Sequence, residues 1–404
     1  MLINNCDIIR CTIHKNIIIF DKKIRDIIDT IEFQRLRRIT QLGLGSFLYP
    51  SATHTRFAHS LGAYEIMRKL VTEYIGNDWT DYEKNLLMCT ALLHDIGHGP
   101  LSHNFELISN QHHEDWTKKI ILSKDTEIHH VIVKNFGADF LNDIIKLINK
   151  EYENKAFCKL ISSELDVDRL DYLLRDSYYT NTGYGELNLE WILRCLKYEK
   201  SDLFITEKGI PSIENYLLAR YFAYKQIYFH PKSLRTEQHF VQIITRLKDI
   251  VSLDFKLKND YHLIEPLLNG KDIELNNYLK LDDFVFFTYI NNLEEENDEV
   301  LKILVSTFKR HNFFVAEKFN HKIYAEKSKL LKEKFGDNYK YFITKGIPEI
   351  NFYKNYCSEK ENILIMTNTK DIKRIDEESK ILGQLKSETD KVEMMFYYNE
   401  ASYG

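Results

Sequence analysis

The sequence predicts a mainly α-helical protein, with a helical core, a short β-hairpin before it and a smaller α+β lobe after it. Apolar residues recur at helical spacing in nearly every segment from residue 21 to about residue 255. Only 6 of the 404 residues are proline, a composition that permits long helices. Apolar runs of the length typical of strands lie before and after this region. These three observations together favour the mainly α class.

The first 255 residues divide into a hairpin and a series of helices. Residues 1–20 carry two β-rich runs, IIRCTI and NIIIF, which predict a short hairpin at the edge of the domain. The run from residue 86 to 93 is apolar on every side, as expected of a central helix that is buried all round. Stripes at helical spacing are formed by Ala63, Met67, Leu70 and Tyr74 and by Ile144, Leu147 and Ile148. We therefore predict one helical domain here.

The helical periodicity loosens between residues 256 and 280, where asparagine, proline and glycine interrupt it. We therefore predict a boundary region there, which separates a domain at 1–255 from a C-terminal α+β lobe at 281–404. The lobe opens with a charged helical stretch, 294–309, whose acidic cluster at 294–296 is interpreted as a solvated helix face. Its strands are predicted at 339–344, 362–367 and 394–399.

Composition and charge narrow the functional classes. The fractions of 44% hydrophobic and 28% charged residues are those of an ordinary soluble globular protein. The formal net charge of −5 gives no reason to expect polyanion binding over the whole surface. The six cysteines are scattered without a C-x-x-C pair, so we interpret them as free thiols of a reducing compartment. With no signal-peptide pattern and no apolar run near the ~18 residues that span a bilayer, a cytoplasmic location is expected.

A dispersed set of four side chains predicts a divalent metal site. Its members are His59, His94, Asp95 and Asp168. Two imidazoles and two carboxylates suit a borderline or hard cation better than a thiolate-preferring one, without distinguishing Mn, Fe, Mg, Zn or Ni. His94 and Asp95 end a strongly apolar stretch, where titratable groups are costly to bury unless a partner compensates them. A metal provides that compensation and activates water, which points to hydrolysis.

The motifs around these residues resemble those of the HD-domain phosphohydrolases. The ligands lie in HTRFAHSLG (54–62), HDIGHGPLSH (94–103) and ELDVDRLDYLLRD (164–176). The most specific segment is FQRLRRITQLGLGSFLYPSATHTRFAHSLG (33–62). Within the superfamily, the chain is similar to the deoxynucleoside triphosphate (dNTP) triphosphohydrolases from about Asp29 to about Gln242. The resemblance implies an HD-domain helical core in which metal-activated water attacks the α-phosphorus of a dNTP, releasing a deoxynucleoside and tripolyphosphate.

The resemblance also implies roles for residues near the metal. A catalytic shell is implied for His98, His103, Glu106 and His113. Of these, His103 is the best candidate to protonate the leaving 5′-oxygen, since histidine transfers protons near neutral pH. His112 is interpreted as a surface residue. Phosphate-binding guanidinium groups, which suit phosphate because they donate two hydrogen bonds at once, are implied at Arg56, Arg169 and Arg220.

The sugar and the base are implied to bind beside these groups. Tyr172 and Asp176 lie four positions apart, on one face of a helix. By the resemblance, Asp176 accepts a hydrogen bond from the 3′-hydroxyl, and the Tyr172 ring crowds C2′ so that a ribose hydroxyl has no room. Further contacts to the sugar and base are implied for Gln41, Leu42 and Tyr228.

Assembly and regulation are implied as well. Members of the family are often activated by nucleotides bound between subunits, so a nucleotide activator and a homo-oligomer, a dimer or a tetramer, are expected. The residues that match such a site are Asp29, Gln34 and Arg37. The N-terminal segment that completes it elsewhere is reduced here to RCTIHKN (10–16), which retains only His14. No membrane partner is expected, and nucleic acid is not favoured as a partner.

Two other functions are compatible with part of the pattern. An HD-type phosphodiesterase or nuclease, acting on DNA ends or cyclic nucleotides, would share the metal chemistry and leave Tyr172 and Asp176 as structural residues. A non-catalytic nucleotide-sensing module would need neither a complete ligand set nor a proton donor. The presence of both argues against the sensing module. Hydrolysis of dNTPs is favoured over the phosphodiesterase by the pair Tyr172 and Asp176 and by the segment 33–62.

Overall fold

Helices dominate the structure, a computed structural model that describes residues 6–109, 111–346, 349–351, 363–385, 389–391 and 393–399. The strands form small sheets, so the mainly α prediction is confirmed. Within these described ranges, no helix combines the length and the apolar content that crossing a bilayer requires.

The N-terminal hairpin forms as predicted, although residues 1–5 of the predicted region lie outside the described part of the chain. Strand β1 (Asp7–Cys11) pairs antiparallel with β2 (Lys15–Ile19). The backbone of Ile18 links the hairpin by two hydrogen bonds to the helix Arg56–Lys69. Its N–H donates to Glu65 Oε2 at 3.0 Å, and its carbonyl accepts from the Tyr64 hydroxyl at 3.1 Å. The hairpin is therefore anchored to the helical core.

Three helices form the centre of the first hydrophobic core: α3 (Arg56–Lys69), α4 (Asp81–Leu93) and α10 (Val167–Thr180). Helix α4 begins with a capping box between Thr80 and Glu83, and its residues from 86 to 93 are all buried, as predicted. The surrounding helices are α1 (Lys22–Ile28), α2 (Ile31–Arg35), α5 (His103–Ser109), α6 (His113–Leu122), α7 (Glu127–Phe136), α8 (Ala138–Ile148), α9 (Lys155–Ile161), α11 (Leu189–Cys195) and α12 (Ile210–Ala223).

One glycine sets the distance between α3 and α10. A Cβ atom placed on Gly62 would lie 1.9 Å from Asp171 Oδ1 and 2.4 Å from Arg175 Nη2. No side chain fits in that space, so only glycine allows the two helices to approach this closely. The approach matters because these helices carry two of the predicted metal ligands, His59 and Asp168.

A second hydrophobic core lies around the long helix α13 (Pro231–Ser252) and includes Leu101, Phe105 and Trp116 from the first part of the chain. Conversely, Ile365 from the C-terminal part is buried in the first core. Each part of the chain therefore contributes residues to the core of the other. The division at residues 256–280 stays a prediction. The remaining helices are α14 (Glu265–Leu268), α15 (Leu275–Tyr278), α16 (Asp283–Asn292), α17 (Glu299–Lys309), α18 (His321–Phe335), α19 (Ile375–Glu378) and α20 (Lys380–Leu385).

The other strands form three sheets. The strands are β3 (Leu196–Glu199), β4 (Asp202–Thr206), β5 (Val315–Lys318), β6 (Ile343–Gly346), β7 (Glu349–Asn351), β8 (Leu364–Met366), β9 (Ile372–Arg374), β10 (Thr389–Lys391) and β11 (Met394–Tyr397). Strand β11 lies between β5 and β6 in an antiparallel sheet, and β7 pairs with β10. In the sheet of order β3-β4-β8-β9, the β4–β8 pair is parallel. This last sheet joins the C-terminal segment to the first domain.

The predicted C-terminal strands correspond to β6, β8 and β11. Strand β6 begins later than predicted, because the chain leaves α18 at Gly336 with φ +58° and first forms a 3₁₀ helix, Gly336–Tyr341. Residue 362 of the predicted strand at 362–367 lies outside the described residues. The mixture of helices and strands in this lobe is confirmed.

The acidic cluster at 294–296 is a solvated helix face only in part, since Glu294 and Glu295 lie in the 3₁₀ helix Leu293–Glu295 and the prediction was wrong for Glu296. Helix α17 begins only at Glu299, and Glu296 is fully buried. Its carboxylate accepts hydrogen bonds from the backbone N–H of Lys258 at 2.7 Å, from that of Asn259 at 3.1 Å and from the Tyr261 hydroxyl at 3.0 Å. A buried carboxylate is stable where donors surround it, and here the irregular segment after α13 supplies them.

Replacing Glu296 by alanine should lower the free energy of unfolding by about 2–3 kcal/mol, because it leaves buried backbone and hydroxyl donors without an acceptor. Urea denaturation followed by circular dichroism measures the change. The matched control is Glu295→Ala, an exposed neighbour that should leave stability near that of the unchanged protein. Equal stability of the two variants would show that Glu296 does not hold the segment.

Candidate metal centre and active site

The four predicted metal ligands converge at one point, from α3, the end of α4 and the start of α10. His59 Nε2 lies 3.0 Å from Asp168 Oδ1 and 3.5 Å from Asp95 Oδ2. His94 Nε2 lies 3.4 Å from Asp95 Oδ1 and 3.6 Å from Asp168 Oδ1. Helix α4 ends just before His94 and Asp95, which places the pair at the helix terminus. Residues more than 100 positions apart in sequence thus surround a common centre.

The hydrogen bonds of the two histidines leave one nitrogen of each for a cation. His59 Nδ1 donates to Asp171 Oδ2 at 2.8 Å, and His94 Nδ1 donates to the carbonyl of Ala91 at 2.8 Å. The opposite nitrogens, both Nε2, are buried and have no hydrogen bond of good geometry. A metal-binding histidine typically has this arrangement, since an outer acceptor holds the proton on one nitrogen and orients the other. These residues therefore fit a divalent cation.

The electrostatics of the centre also favour a cation. Burial lowers the pKa of His59, but the carboxylates of Asp168 and Asp171 outweigh it and raise that pKa to about 10. Burial raises the pKa of Asp168, but His59 and His94 hold it below its ordinary value. The field at the centre is thus negative enough to hold positive charge on a buried imidazole. A divalent ion would satisfy the same field.

Sequence reasoning missed Asp171, whose carboxylate orients the candidate ligand His59 by a hydrogen bond. Its Oδ1 accepts from His14 Nε2 at 2.6 Å, its Oδ2 accepts from His59, and Arg175 donates to both oxygens at 2.8 Å. The space left by Gly62 admits this carboxylate. One signal was available: Asp171 follows Asp168 by three residues, so both lie on neighbouring faces of one helix. His14, the remnant of the expected regulatory segment, is buried here.

The predicted catalytic shell forms a second cluster beside the metal ligands. The ring of His98 stacks on that of His113 with centroids 3.9 Å apart, and His98 Nε2 lies 3.4 Å from Asp95 Oδ1. Glu106 Oε1 accepts from His113 Nδ1 at 2.6 Å and lies 3.2 Å from His103 Nδ1. Beside the candidate metal ligands, these groups can donate and accept protons.

The members of this cluster differ in charge and in access to solvent. Burial, Arg56 and His113 hold the pKa of His98 well below its ordinary value. Burial raises the pKa of Glu106, but hydrogen bonds from His103 and His113 keep it below its ordinary value. The His103 side chain is 67% exposed and can reach a substrate, and His112, at 80%, is the surface residue that was predicted.

The three predicted phosphate-binding arginines lie near the centre, and each is paired with a carboxylate. Arg56 donates to Asp95, one of the metal ligands, and to Ser102 Oγ at 3.0 Å. Arg169 is held by Asp166 and by the carbonyl of Ser163. Arg220 donates to Glu164 Oε2 at 2.7 Å. The sequence did not predict the pair of Arg220 with Glu164, because it arises from the packing of α12 against the segment before α10, whereas Asp166 lies only three positions before Arg169.

The predicted sugar-binding residues meet around Asp176. Its Oδ2 accepts from the Tyr228 hydroxyl at 2.6 Å, and its Oδ1 lies 2.8 Å from His54 Nε2. The rings of Tyr172 and Tyr228 meet edge to face with centroids 6.3 Å apart. His54 was missed as a partner, although it opens the motif that contains His59. Two aromatic rings and an anchored carboxylate therefore stand together.

The predicted base-side residues lie at the edge of this group. Gln41 is buried, its backbone N–H donates to the carbonyl of His54 at 2.9 Å, and its side-chain Oε1 has no hydrogen-bond partner. Leu42 is half-buried. The contact with His54 links Gln41 to the residues around Asp176, and the role of Gln41 and Leu42 beside the sugar and base stays a prediction.

The residues of the expected activator site lie on the outer side of α1 and α2. Asp29 Oδ2 accepts from Arg25 Nε at 2.9 Å, and Gln34 Oε1 accepts from Arg37 Nε at 2.7 Å. Asp29 and Arg37 are exposed, whereas His14 faces Asp171 inside the fold. The activator site and the homo-oligomer stay predictions.

Comparison with known proteins finds matches along most of the chain. The HD domain family matches residues 56–176, which include all four proposed ligands. The uncharacterized protein YwfO of Bacillus subtilis is 35% identical over 394 residues, which cover 95% of this chain and 90% of that protein. The crystal structure of a phosphohydrolase from Bacteroides thetaiotaomicron has a TM-score of 0.87 and 30% identity, and the match covers 98% of this chain and 100% of the other.

A more distant relative carries the name of a specific activity. The SAMHD1 homolog of Dictyostelium discoideum, a deoxynucleoside triphosphate triphosphohydrolase, is 29% identical over 263 residues. The match covers 60% of this chain and 49% of that protein, so it spans about half of the relative's length.

Replacing Asp168 by alanine should lower the affinity for divalent metal by about 100-fold or more, since outer partners of metal ligands alone are worth roughly 10–100-fold. Metal content after dialysis, measured by mass spectrometry, reports the loss, and circular dichroism should show that the helices remain. The matched control is Glu106→Ala, which removes a carboxylate from the neighbouring cluster and should retain the metal. Full metal content in the Asp168 variant would remove Asp168 from the site.

Proposed function

The chain belongs to the HD-domain phosphohydrolase superfamily, and we propose that it hydrolyses dNTPs to a deoxynucleoside and tripolyphosphate. One observation carries the proposal: Asp168, Tyr172 and Asp176 follow one another at four-residue intervals along α10. Residues at this spacing share a helix face, and about 6 Å of helix separates each from the next. Along α10, the proposed metal ligand comes first, then the ring proposed to exclude ribose, and then the acceptor for the 3′-hydroxyl. The phosphate and the sugar of a nucleotide follow one another in the same order.

The chemistry divides between the ion and the chain. When bound, the divalent ion supplies Lewis-acid activation of water for attack at the α-phosphorus. The chain's own part is to orient the triphosphate and to place a proton on the departing 5′-oxygen. Alkoxide is a poor leaving group, so a positioned acid contributes strongly to the rate. His103 suits this role because it is exposed to the substrate side and held by Glu106.

The arginines can bind phosphate without losing their present partners. A guanidinium group has five N–H donors, and the pairs with Asp166 and Glu164 use only some of those on Arg169 and Arg220. The pairs hold each group in one orientation before the substrate arrives, which lowers the entropy cost of binding. Arg56 has an additional role, since its partner is Asp95 and it orients that proposed metal ligand.

The deoxyribose end is organised by Asp176. A carboxylate has about four acceptor positions, so Asp176 can accept from a 3′-hydroxyl while it keeps its contacts with His54 and Tyr228. The edge-to-face packing of Tyr172 on Tyr228 holds the Tyr172 ring in place. A rigid ring beside C2′ discriminates against ribose by steric exclusion.

One observation favours a second candidate function, an HD-type phosphodiesterase or nuclease. The second cluster, His98, His103, Glu106 and His113, has ligand atoms within 4.8 Å of one another, so it could hold a second ion. Two metal ions clamp the attacking and leaving oxygens in many phosphodiesterases. Metal content of the Glu106→Ala variant separates the two functions, because loss of one of two bound ions would favour the phosphodiesterase.

Product analysis tests the bond that is cut. With each dNTP, the first products should be a deoxynucleoside and intact tripolyphosphate, and solvent ¹⁸O should appear in a terminal phosphate of tripolyphosphate and not in the nucleoside. Chromatography and mass spectrometry separate the products. Ribonucleotides and single-stranded DNA are the control substrates. A deoxynucleoside monophosphate as first product would refute the triphosphohydrolase assignment and leave the metal site standing.

Replacing His103 by alanine should reduce kcat by roughly 10²–10⁴-fold with little change in substrate affinity, since the proton donor acts in the transition state. Steady-state kinetics measures both parameters. The matched control is His112→Ala, an exposed histidine that also lies near Glu106 but has no proposed role. A kcat near that of the unchanged enzyme would assign the proton transfer to another group.

Replacing Tyr172 by alanine should lower the ratio of kcat/KM for a dNTP to kcat/KM for the matching ribonucleotide, because the ring no longer excludes the 2′-hydroxyl. The expected change in this ratio corresponds to about 1–3 kcal/mol. The ratio is measured with matched pairs such as dATP and ATP. Tyr178→Ala is the control, since Tyr178 lies on the same helix but is 60% exposed. An unchanged ratio would show that the sugar pocket lies elsewhere.

A further inference from the structure

A cavity of about 360 Å³ lies beside the proposed active site, and none of its lining residues is a proposed metal ligand. It is open to solvent on one side and lined by α9, by strands β3, β4 and β8, and by the loop 162–165 that connects α9 to α10. Its volume falls within the range of pockets that bind small organic molecules. The cavity is therefore large enough for a ligand of its own.

The walls of the cavity differ in chemistry from one side to the other. One side is apolar, with buried side chains on the sheet: Leu196, Leu203, Ile205 and Ile363. The other side carries three ammonium groups, Lys150, Lys155 and Lys159, and the hydroxyls of Ser162 and Ser163. An ammonium and a hydroxyl both donate hydrogen bonds to phosphate oxygens.

Of the described carboxylates near the cavity, neither Glu164 nor Asp202 pairs with Lys155, whose charge makes this side positive. Glu164 lines the cavity, but its charge is paired with buried Arg220. Asp202 pairs with Lys159. Lys155 Nζ donates to the carbonyl of Lys150 at 3.2 Å, a neutral acceptor, so its charge is not neutralised by that contact. The cavity thus combines positive charge on one side with an apolar wall on the other.

The loop that lines the cavity also holds two of the phosphate-binding arginines. The carbonyl of Ser163 accepts from Arg169, and the carboxylate of Glu164 accepts from Arg220. The carbonyl of Glu164 accepts from the Tyr216 hydroxyl at 2.7 Å, which ties the loop to α12. A ligand that moves Ser163 or Glu164 must therefore change the position of these guanidinium groups.

From this geometry, we propose that the cavity binds an organic phosphate, with the phosphate on the lysine side and the organic body on the apolar wall. Binding adjusts Arg169 and Arg220 through the loop 162–165 and so changes the affinity for substrate. The binding site stands without any assumption about the reaction, whereas its effect on substrate affinity rests on the proposed function.

Isothermal titration calorimetry tests the site with three probes: AMP, hexyl phosphate and inorganic phosphate. AMP or hexyl phosphate should bind at least tenfold more tightly than inorganic phosphate. Tighter binding of AMP would indicate that the apolar wall suits a flat nucleotide, and tighter binding of hexyl phosphate would indicate that it suits an alkyl chain. Equal affinity for all three probes, or no saturable binding, would overturn the proposal, because the apolar wall would then contribute nothing.

A matched pair of variants locates the binding. Lys155→Glu reverses a charge at the first residue of α9, where an acidic side chain favours the helix, so the fold should be kept while probe affinity falls tenfold or more. Lys22→Glu makes the same change at the first residue of α1, away from the cavity, and should leave the affinity unchanged. Equal affinities of the two variants would place the binding elsewhere and overturn the proposal.

Kinetics tests the effect on the active site. The better probe should shift the apparent KM for dNTP at least threefold in the unchanged enzyme and not in Lys155→Glu. An unshifted KM in an active enzyme would refute the coupling through the loop. If the protein hydrolyses no dNTP at all, the proposed function fails, and calorimetry with the Lys155 and Lys22 variants still decides whether the cavity binds an organic phosphate.

Discussion

The arrangement of the site depends on the contact between α3 and α10. Gly62 leaves room for the carboxylate of Asp171, which a Cβ at that position would meet at 1.9 Å. Asp171 then orients His59 toward the metal centre while Arg175 balances its charge. If the helices stood further apart, His59 would lose its acceptor and Asp168 would move away from the other ligands. Close helix packing thus determines the ligand geometry.

The same region concentrates buried charge to an extent that a stable fold alone does not require. Arg56, Arg175 and Arg220 are buried, and each is paired with a carboxylate. Removing charges from water is costly, and a buried ion pair often stabilises a protein no more than apolar residues of similar volume would. Breaking one such pair, however, costs about 3–5 kcal/mol. These pairs therefore stabilise one particular arrangement of side chains, which a phosphate-binding site needs.

The N-terminal hairpin is connected to this arrangement. The resemblance associates the segment around His14 with a regulatory site, whereas the structure buries His14 against Asp171, one hydrogen bond from a metal ligand. The loop 162–165 makes a comparable connection, since Ser163 and Glu164 accept hydrogen bonds from Arg169 and Arg220. The centre is thus linked to these two segments, and displacing either of them would change the position of the groups proposed to bind the metal or the phosphates.

The sequence by itself predicted the helical class, the hairpin and the row Asp168, Tyr172 and Asp176, because helical periodicity and spacing along one helix are local properties. It also predicted the four candidate ligands that the structure brings together. Only the tertiary structure decided that Arg56 pairs with Asp95 and Arg220 with Glu164, that Glu296 is buried and that His14 meets Asp171, 157 residues away. Such contacts form between elements distant in the chain. Their cause is packing geometry, which no local pattern of residues encodes.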